Sequence, residues 1–134
     1  MKRLLVALLM ISSVSAFADD WLFLTAAANN SGAYYGLKGS YELTTNRSGE
    51  QVAVWTEKFD DKINNQITVD KLYVRTSDCL RKQGKGVMVN LNGDFLGDFD
   101  FIFGEGSVGA YRVEGLCALY FTNLRAARDK SLPN

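Results

Sequence analysis

Residues 87–103 read VMVNLNGDFLGDFDFIF, and this stretch decides the fold. The strand-forming residues of 87–91 predict one β-strand, and 94–103 predicts the strand that returns beside it. Asn92-Gly93 between them predicts a two-residue hairpin turn, because both central residues of a type I′ turn need positive φ. Gly97 interrupts the return strand and predicts a bulge there. Four phenylalanines of the return strand share one parity: Phe95, Phe99, Phe101 and Phe103.

A helix is predicted directly after this hairpin. Ser107 is a candidate N-cap, because its hydroxyl can accept a hydrogen bond from an otherwise unpaired backbone N–H. Apolar residues then recur at spacings of three and four, which is typical of one helical face: Val113, Leu116, Cys117 and Tyr120. Residues 122–134 turn polar and are expected to fray.

Upstream of residue 87, further strands are predicted at 21–27, 33–37, 51–59 and 66–75, with 41–45 either a short strand or irregular. The two faces of 66–75 are not cleanly apolar and polar, so its buried face stays open. Ser77-Asp78-Cys79 is expected to end that strand. Together, the predicted strands and helix indicate an α+β fold with an antiparallel sheet of about six strands and one C-terminal helix.

The N-terminus has the three-part pattern of a secretory signal. Lys2 and Arg3 precede the apolar run 4–14, and Ala16-Phe17-Ala18 places small residues at the cleavage site. The apolar run is short of the roughly 20 residues that span a bilayer. We therefore predict that residues 1–18 are a cleaved signal peptide and that 19–134 form a single exported domain. A Gram-negative periplasm is the expected compartment, with the cell surface or secretion as further options.

Both cysteines lie in that domain. In an oxidising compartment an isolated pair predicts a disulfide, here Cys79–Cys117, which would tether the C-terminal helix. Two free buried thiols are the alternative. Histidine is absent from the chain, and two cysteines alone do not make a tetrahedral metal site.

The charges argue against nucleic acid and lipid partners. The whole chain has 15 basic and 15 acidic residues, and two of the basic ones leave with the signal peptide. The sequence has no basic stripe of the kind that binds nucleic acid or anionic lipid. We expect no membrane span after cleavage and no cofactor.

Several segments together resemble the surface-adhesin protein E family, small exported proteins of Gram-negative bacteria. They are Trp21, Tyr34-Tyr35, Val54-Trp55, Cys79 and the Gly106-Ser107-Val108-Gly109 run before Cys117. The chain departs from the family pattern at Gly36-Leu37-Lys38, where the family has an aspartate, and at Glu105, where it has a proline. The resemblance implies an antiparallel sheet, a disulfide-tethered helix and homodimer formation. It also implies an adhesive role, because the family's named member binds host matrix proteins.

Candidate sites are few. Catalysis is not expected, because a nucleophile needs an adjacent base and the chain has no histidine. Five aromatic residues could form an exposed protein-binding patch: Tyr34, Tyr35, Tyr41, Trp55 and Tyr73. Strand alternation favours the alternative, which is ordinary core and cross-strand packing. Asp94, Asp98 and Asp100 could bind calcium, but turn chemistry and a solvated strand face explain them better. The basic run 81–85 could contact an acidic partner, but a solvated turn explains it better.

The sequence therefore predicts an exported, non-enzymatic binding protein, with a host matrix protein or a periplasmic protein as its partner. A soluble periplasmic inhibitor or immunity protein against a toxin or hydrolase is the competing hypothesis. A homodimer through a sheet edge or a helix face is a further expectation.

Overall fold

Six strands follow one another in chain order across one antiparallel sheet. The structure is a computed structural model that describes residues 20–131, so the predicted signal peptide lies outside the described residues. The strands are β1 (Trp21–Ala26), β2 (Gly32–Thr45), β3 (Gln51–Asp61), β4 (Gln66–Arg75), β5 (Gln83–Val89) and β6 (Phe95–Ile102). A short helix, α1 (Thr76–Arg81), joins β4 to β5, and a long helix, α2 (Val108–Ser131), follows β6. The predicted α+β fold is confirmed.

Side chains of the turns fix several of the connections. In the β2–β3 turn, Asn46 Oδ1 accepts the backbone N–H groups of Ser48 and Glu50 at 3.0 and 2.9 Å. In the β3–β4 turn, Asp61 accepts the N–H groups of Ile63 and Asn64. These are the local bonds that make Asn and Asp frequent turn residues. The segment 41–45 is not a separate strand but the second half of β2, after an irregularity between Leu37 and Glu42.

The β5–β6 hairpin closes differently from the predicted two-residue turn. Its closing pair is Asn90 and Asp94, whose backbone N···O distance is 2.9 Å, and Gly93 has φ +91° whereas Asn92 is not among the positive-φ residues. Asn90 Oδ1 accepts the N–H groups of Asn92 and Asp94. The loop thus begins one residue earlier than predicted, at Leu91, and has three residues with glycine at the left-handed position.

The bulge predicted near Gly97 is present, because the β5–β6 register shifts where Met88 pairs with Gly97 and Val89 with Phe95. The shift moves Phe95 off the face used by the later phenylalanines. Phe95 is 64% exposed, whereas Phe101 lies in the core. The four phenylalanines share one parity in the sequence, but the bulge predicted at Gly97 places Phe95 on the opposite face of the sheet from Phe99 and Phe101.

The predicted end of β4 is also corrected. Cys79 does not end a strand; it lies in α1, and it is fully buried. The helix ends at Arg81, and Lys82 adopts the left-handed conformation with φ 63°. The disulfide Cys79–Cys117 is confirmed, with a Cα–Cα distance of 5.5 Å, and it therefore joins α1 to α2.

The core lies between α2 and one face of the sheet. Trp55 of β3 is fully buried beneath α2, and the predicted helical face is confirmed, since Val113, Leu116, Cys117 and Tyr120 are all buried. Ser107 Oγ accepts the N–H of Ala110 at 3.0 Å, which confirms the predicted cap. The helix continues to Ser131, further than the polar composition after residue 122 suggests.

Candidate binding surfaces

The five aromatic residues considered as a candidate patch do not come together. Trp55 lies in the core, and Tyr41 is half-buried against it. Tyr34 stacks on Phe59 beside the start of α2, with ring centroids 4.6 Å apart. Tyr35 and Tyr73 alternate with core-facing neighbours in their strands, so they lie on the opposite face of the sheet.

That opposite face, here called the helix-free face, has no helix packed on it among residues 20–131. Its composition is unusual for an uncovered sheet face, which normally carries polar side chains. The strand pairings place both apolar and charged residues on it. The apolar and aromatic members are Trp21, Phe23, Tyr35, Leu37, Val52, Val54, Ile67, Val69, Tyr73, Val87, Val89, Phe95 and Ile102. The charged members include Lys58, Lys71, Lys85, Asp98 and Asp100.

Several apolar side chains of the helix-free face are open to solvent. Phe23 is 63% exposed, Ile67 64%, Phe95 64% and Ile102 54%. Large exposed apolar patches are characteristic of protein–protein interaction sites, which makes this face a candidate binding surface.

A compact aromatic cluster lies at the β1 end of this face. The rings of Phe23 and Tyr35 meet edge to face, with centroids 5.9 Å apart. Lys58 Nζ lies 4.6 Å from the Trp21 ring centroid and 5.0 Å from that of Tyr35. The ammonium thus rests on two aromatic faces, an arrangement that is worth about 0.5–1 kcal/mol at an exposed site.

On the helix side, a cleft of about 150 Å³ opens beside the first turns of α2. At its edge Arg112 of α2 donates to Glu57 Oε1 of β3 from Nε at 2.9 Å and from Nη2 at 2.6 Å. The guanidinium also stacks on Tyr34, with Cζ 4.4 Å from the ring centroid. Both partners of this ion pair are buried.

Two carboxyl groups meet in the cleft. Glu57 pairs directly across the strands with Asp70 of β4, and both residues line the cleft. Burial raises the pKa of Glu57, although the Arg112 charge opposes that shift. Burial also raises the pKa of Asp70, again against the pull of Arg112. Like charges directly across a strand pair destabilise a sheet, which adds to the cost of ionising both carboxyls.

This cleft was not predicted from the sequence. Glu57 and Arg112 are 55 positions apart, so no local spacing connects them. One signal was present: Glu57 follows Ala53 and Trp55 at alternate positions, which puts a carboxyl on the face that the core uses. A charged residue at such a position needs a partner, because an unpaired buried charge is costly.

Asp78 forms a second buried cluster, at the α1 end of the sheet. Its carboxylate accepts bonds from Arg81 and Arg75 and from the backbone N–H of Lys85. Burial alone would raise the pKa of Asp78, but the bonds from Arg81 and Arg75 outweigh that effect and hold the pKa below its usual value. Every partner is part of the fold, so this cluster is structural. Two members of the basic run 81–85 have acidic partners within the fold. Arg81 forms an ion pair with Asp78, and Lys85 forms one with Asp100.

The aspartates considered as calcium ligands, Asp94, Asp98 and Asp100, do not form a calcium site. Asp94 accepts from Asn90, and Asp100 pairs with Lys85 at 2.9 Å. Within residues 20–131, no three His, Cys, Asp or Glu side chains are grouped so that they could hold a metal ion. Over the same residues, no helix is both long and apolar enough to cross a membrane.

Comparisons with known proteins identify no relative. No protein-family model matches the chain, and neither the curated proteins nor the solved structures contain a match. The resemblance to the protein E family therefore stays a prediction that rests on the residues named above.

Proposed function

We propose that this chain is an exported, non-enzymatic binding protein that takes a protein partner on its helix-free face. The exposed apolar side chains of that face carry the proposal. A monomer that worked alone would gain nothing from leaving Phe23, Ile67, Phe95 and Ile102 in water, because each exposed apolar side chain forgoes the free energy of burial.

The charged side chains on the helix-free face indicate which charges a partner surface would need. Lys58 and Lys71 lie on the two central strands, among apolar neighbours. Asp98 and Asp100 lie on the edge strand β6. A partner surface with carboxylates set among apolar side chains complements this arrangement, and such complementarity steers association and fixes the orientation of the two proteins.

The resemblance to the protein E family favours a host matrix protein as that partner. Export is compatible with the disulfide between α1 and α2, since such bonds persist in oxidising compartments. A periplasmic toxin or hydrolase is the competing partner. A second copy of the chain is the competing occupant of the face, because the resemblance also implies homodimer formation.

The test uses residues 19–134, purified with the disulfide formed, and plates coated with a basement-membrane extract. We expect saturable binding that the double variant Phe23→Ser/Ile67→Ser weakens by about tenfold or more, as the loss of central apolar contacts does. The matched control is Leu80→Ser/Leu124→Ser, which removes two exposed leucines from the two helices. Equal weakening by both variants, or no binding by the unmodified protein, would reject the proposal for matrix partners.

Two further measurements separate the competing partners. Antibody labelling and protease cleavage of intact cells should detect the mature domain before lysis if it binds matrix proteins. Detection only after lysis would remove the adhesive role and leave a periplasmic partner. Sedimentation velocity at increasing concentration tests for a second copy, and a dimer that Phe23→Ser/Ile67→Ser dissociates would assign the face to self-association.

A further inference from the structure

The cleft on the helix side shares only Lys58 with the helix-free face among its lining residues, and the ammonium of Lys58 lies against Trp21 and Tyr35 on that other face. Two carboxyl groups, Glu57 and Asp70, lie opposite each other in the cleft. One guanidinium, that of Arg112, serves them, and both of its bonds go to Glu57 Oε1. The cleft thus holds one more acidic group than basic groups on its helix side.

Acceptor atoms in the cleft remain open. Glu57 is only 4% exposed. Among residues 20–131 its Oε2 and the Trp55 indole N–H both lack a partner within hydrogen-bond geometry, and the Trp55 N–H still favours the ionised form of Glu57. In the same part of the chain, the Asp70 side chain makes no hydrogen bond or salt bridge to another residue. Asp70 is partly exposed, so its carboxylate is the acceptor that a donor entering the cleft reaches.

The walls of the cleft restrict what that donor can be. Stacked aromatic rings, Tyr34 on Phe59, form one side, and Met88 and the methyl-bearing Thr68 contribute to the lining. Aromatic faces attract cations through their quadrupole. An anion is disfavoured, because it would meet two carboxyl groups and a guanidinium that Glu57 already holds.

We propose that this cleft binds a single alkylammonium or guanidinium group carried on a slender apolar stem. The head would donate to Asp70, beside the Glu57–Arg112 ion pair, and the stem would lie along the aromatic wall. A volume of about 150 Å³ accepts the end of one such chain, whereas sites for drug-sized ligands span roughly 300–1,000 Å³. A lysine or arginine side chain of a protein and a free diamine share this chemistry.

The test is a titration of the ¹⁵N-labelled, disulfide-bonded protein followed by amide NMR. The probes are N-acetyl-lysine-methylamide for a protein side chain, butane-1,4-diamine for a free amine, and butyrate for an anion of similar size. We expect saturable shifts at Tyr34, Glu57 and Asp70 with an amine probe and none with butyrate. Tighter binding of the lysine derivative would identify a protein side chain as the source, and tighter binding of the diamine a free amine.

The deciding variant is Asp70→Asn, which removes one carboxylate and keeps the side-chain shape. Its amine dissociation constant should rise by about tenfold, because a charge-assisted hydrogen bond is lost. Asp98→Asn is the control, since Asp98 is an exposed aspartate on the helix-free face and has no part in the cleft. Unchanged amine binding by Asp70→Asn, or equal shifts with butyrate, would overturn the proposal.

This test is separate from the one for the helix-free face. Phe23→Ser/Ile67→Ser leaves every residue of the cleft in place, so it should not alter amine binding. Loss of matrix binding with retained amine binding would therefore leave this inference standing on its own.

Discussion

Cys79 of α1 and Cys117 of α2 are joined by a disulfide that spans 38 positions and encloses the whole β5–β6 hairpin. Both cysteines are fully buried against the core. The bond thus fixes the long helix to the segment between β4 and β5. It restricts the unfolded chain over that entire loop, which is the main way in which a disulfide stabilises a protein in the chain-entropy model.

Reduction should therefore lower the free energy of unfolding substantially. For a loop of 38 positions the chain-entropy model gives about 4 kcal/mol. Urea denaturation followed by tryptophan fluorescence, with and without a phosphine reductant, measures the difference. Cys79→Ala/Cys117→Ala is the control, and the reductant should leave its midpoint unchanged. A wild-type midpoint that also stays unchanged on reduction would contradict the prediction.

Gly36 of β2 lies directly under the ring of Trp55. A Cβ added at Gly36 would overlap the indole atoms, and the ring has no room to move because Trp55 is fully buried. We expect Gly36→Ala to destabilise the fold by about 1–3 kcal/mol, the usual cost of overpacking a core. Thermal denaturation by circular dichroism measures the loss.

Gly39 supplies a matched control in the same strand. A Cβ there would meet nothing closer than the Asp20 side chain at 3.6 Å, and Gly39 is exposed. Gly39→Ala should change stability by no more than about 0.5–1 kcal/mol, with stabilisation the expected sign because alanine restricts the unfolded chain. If the two variants melted alike, the proposed contact between Gly36 and Trp55 would not limit the packing.

Local patterns were enough to predict the sheet and the long helix. Alternation and turn residues act over neighbouring positions, and the helical face from Val113 to Tyr120 follows directly from spacing. The short helix α1 could not be predicted in this way. Its N-cap position, Arg75, makes no capping bond through its side chain, and the helix is held by Asp78 and the disulfide, which are tertiary contacts.

The sequence also could not predict which face of the sheet the long helix covers. In β3, Val52 and Val54 are as apolar as Ala53 and Trp55 on the other side, and all four are buried. Only the close approach of Gly36 and Gly115 to the indole shows which face α2 covers. The cleft depends on a contact across 55 positions between Glu57 and Arg112. The alternation in β3 indicates that Glu57 needs a partner, but nothing in one sequence identifies Arg112 as that partner.

Asp78 should make stability depend on acid pH. A carboxyl whose pKa is lower in the folded than in the unfolded state stabilises the fold above its unfolded pKa, and that contribution is lost as the pH falls through the folded pKa. The pKa of Asp78 lies below its ordinary value of 3.8. Asp78→Asn should therefore cost about 1–2 kcal/mol near neutral pH, because the bonds to Arg81 and Arg75 lose their charge.

The deficit of Asp78→Asn should begin to shrink as the pH is lowered below about 4, where the unfolded chain binds a proton at Asp78. It should close once the pH passes the lowered pKa of the folded carboxyl. Urea denaturation at a series of pH values measures it. Asp100→Asn is the control, since its ion pair with Lys85 is exposed and should contribute little. A deficit that stayed constant over the whole series would mean that the charge of Asp78 does not contribute.

Arg112→Met should destabilise the fold by about 3–5 kcal/mol near neutral pH, since it leaves the Glu57 carboxylate buried without its partner. Burial already raises the pKa of Glu57, and removal of the guanidinium raises it further. A carboxyl with a raised folded pKa favours the fold when protonated, and it loses that contribution as the pH rises. The deficit of Arg112→Met should therefore be smaller near pH 5 than near pH 8. It falls with falling pH, as the deficit of Asp78→Asn does, but over a higher pH range.

Glu57→Leu/Arg112→Met separates the ion pair from the packing of its side chains. Replacement of both partners by apolar residues removes the buried charge as well as its compensation, and such exchanges are often neutral or stabilising. The double variant should therefore recover most of the stability that Arg112→Met loses, and its stability difference from wild type should depend less on pH. If the double variant were as unstable as the single one at every pH, the contribution of Arg112 would come from its stacking on Tyr34 rather than from its charge.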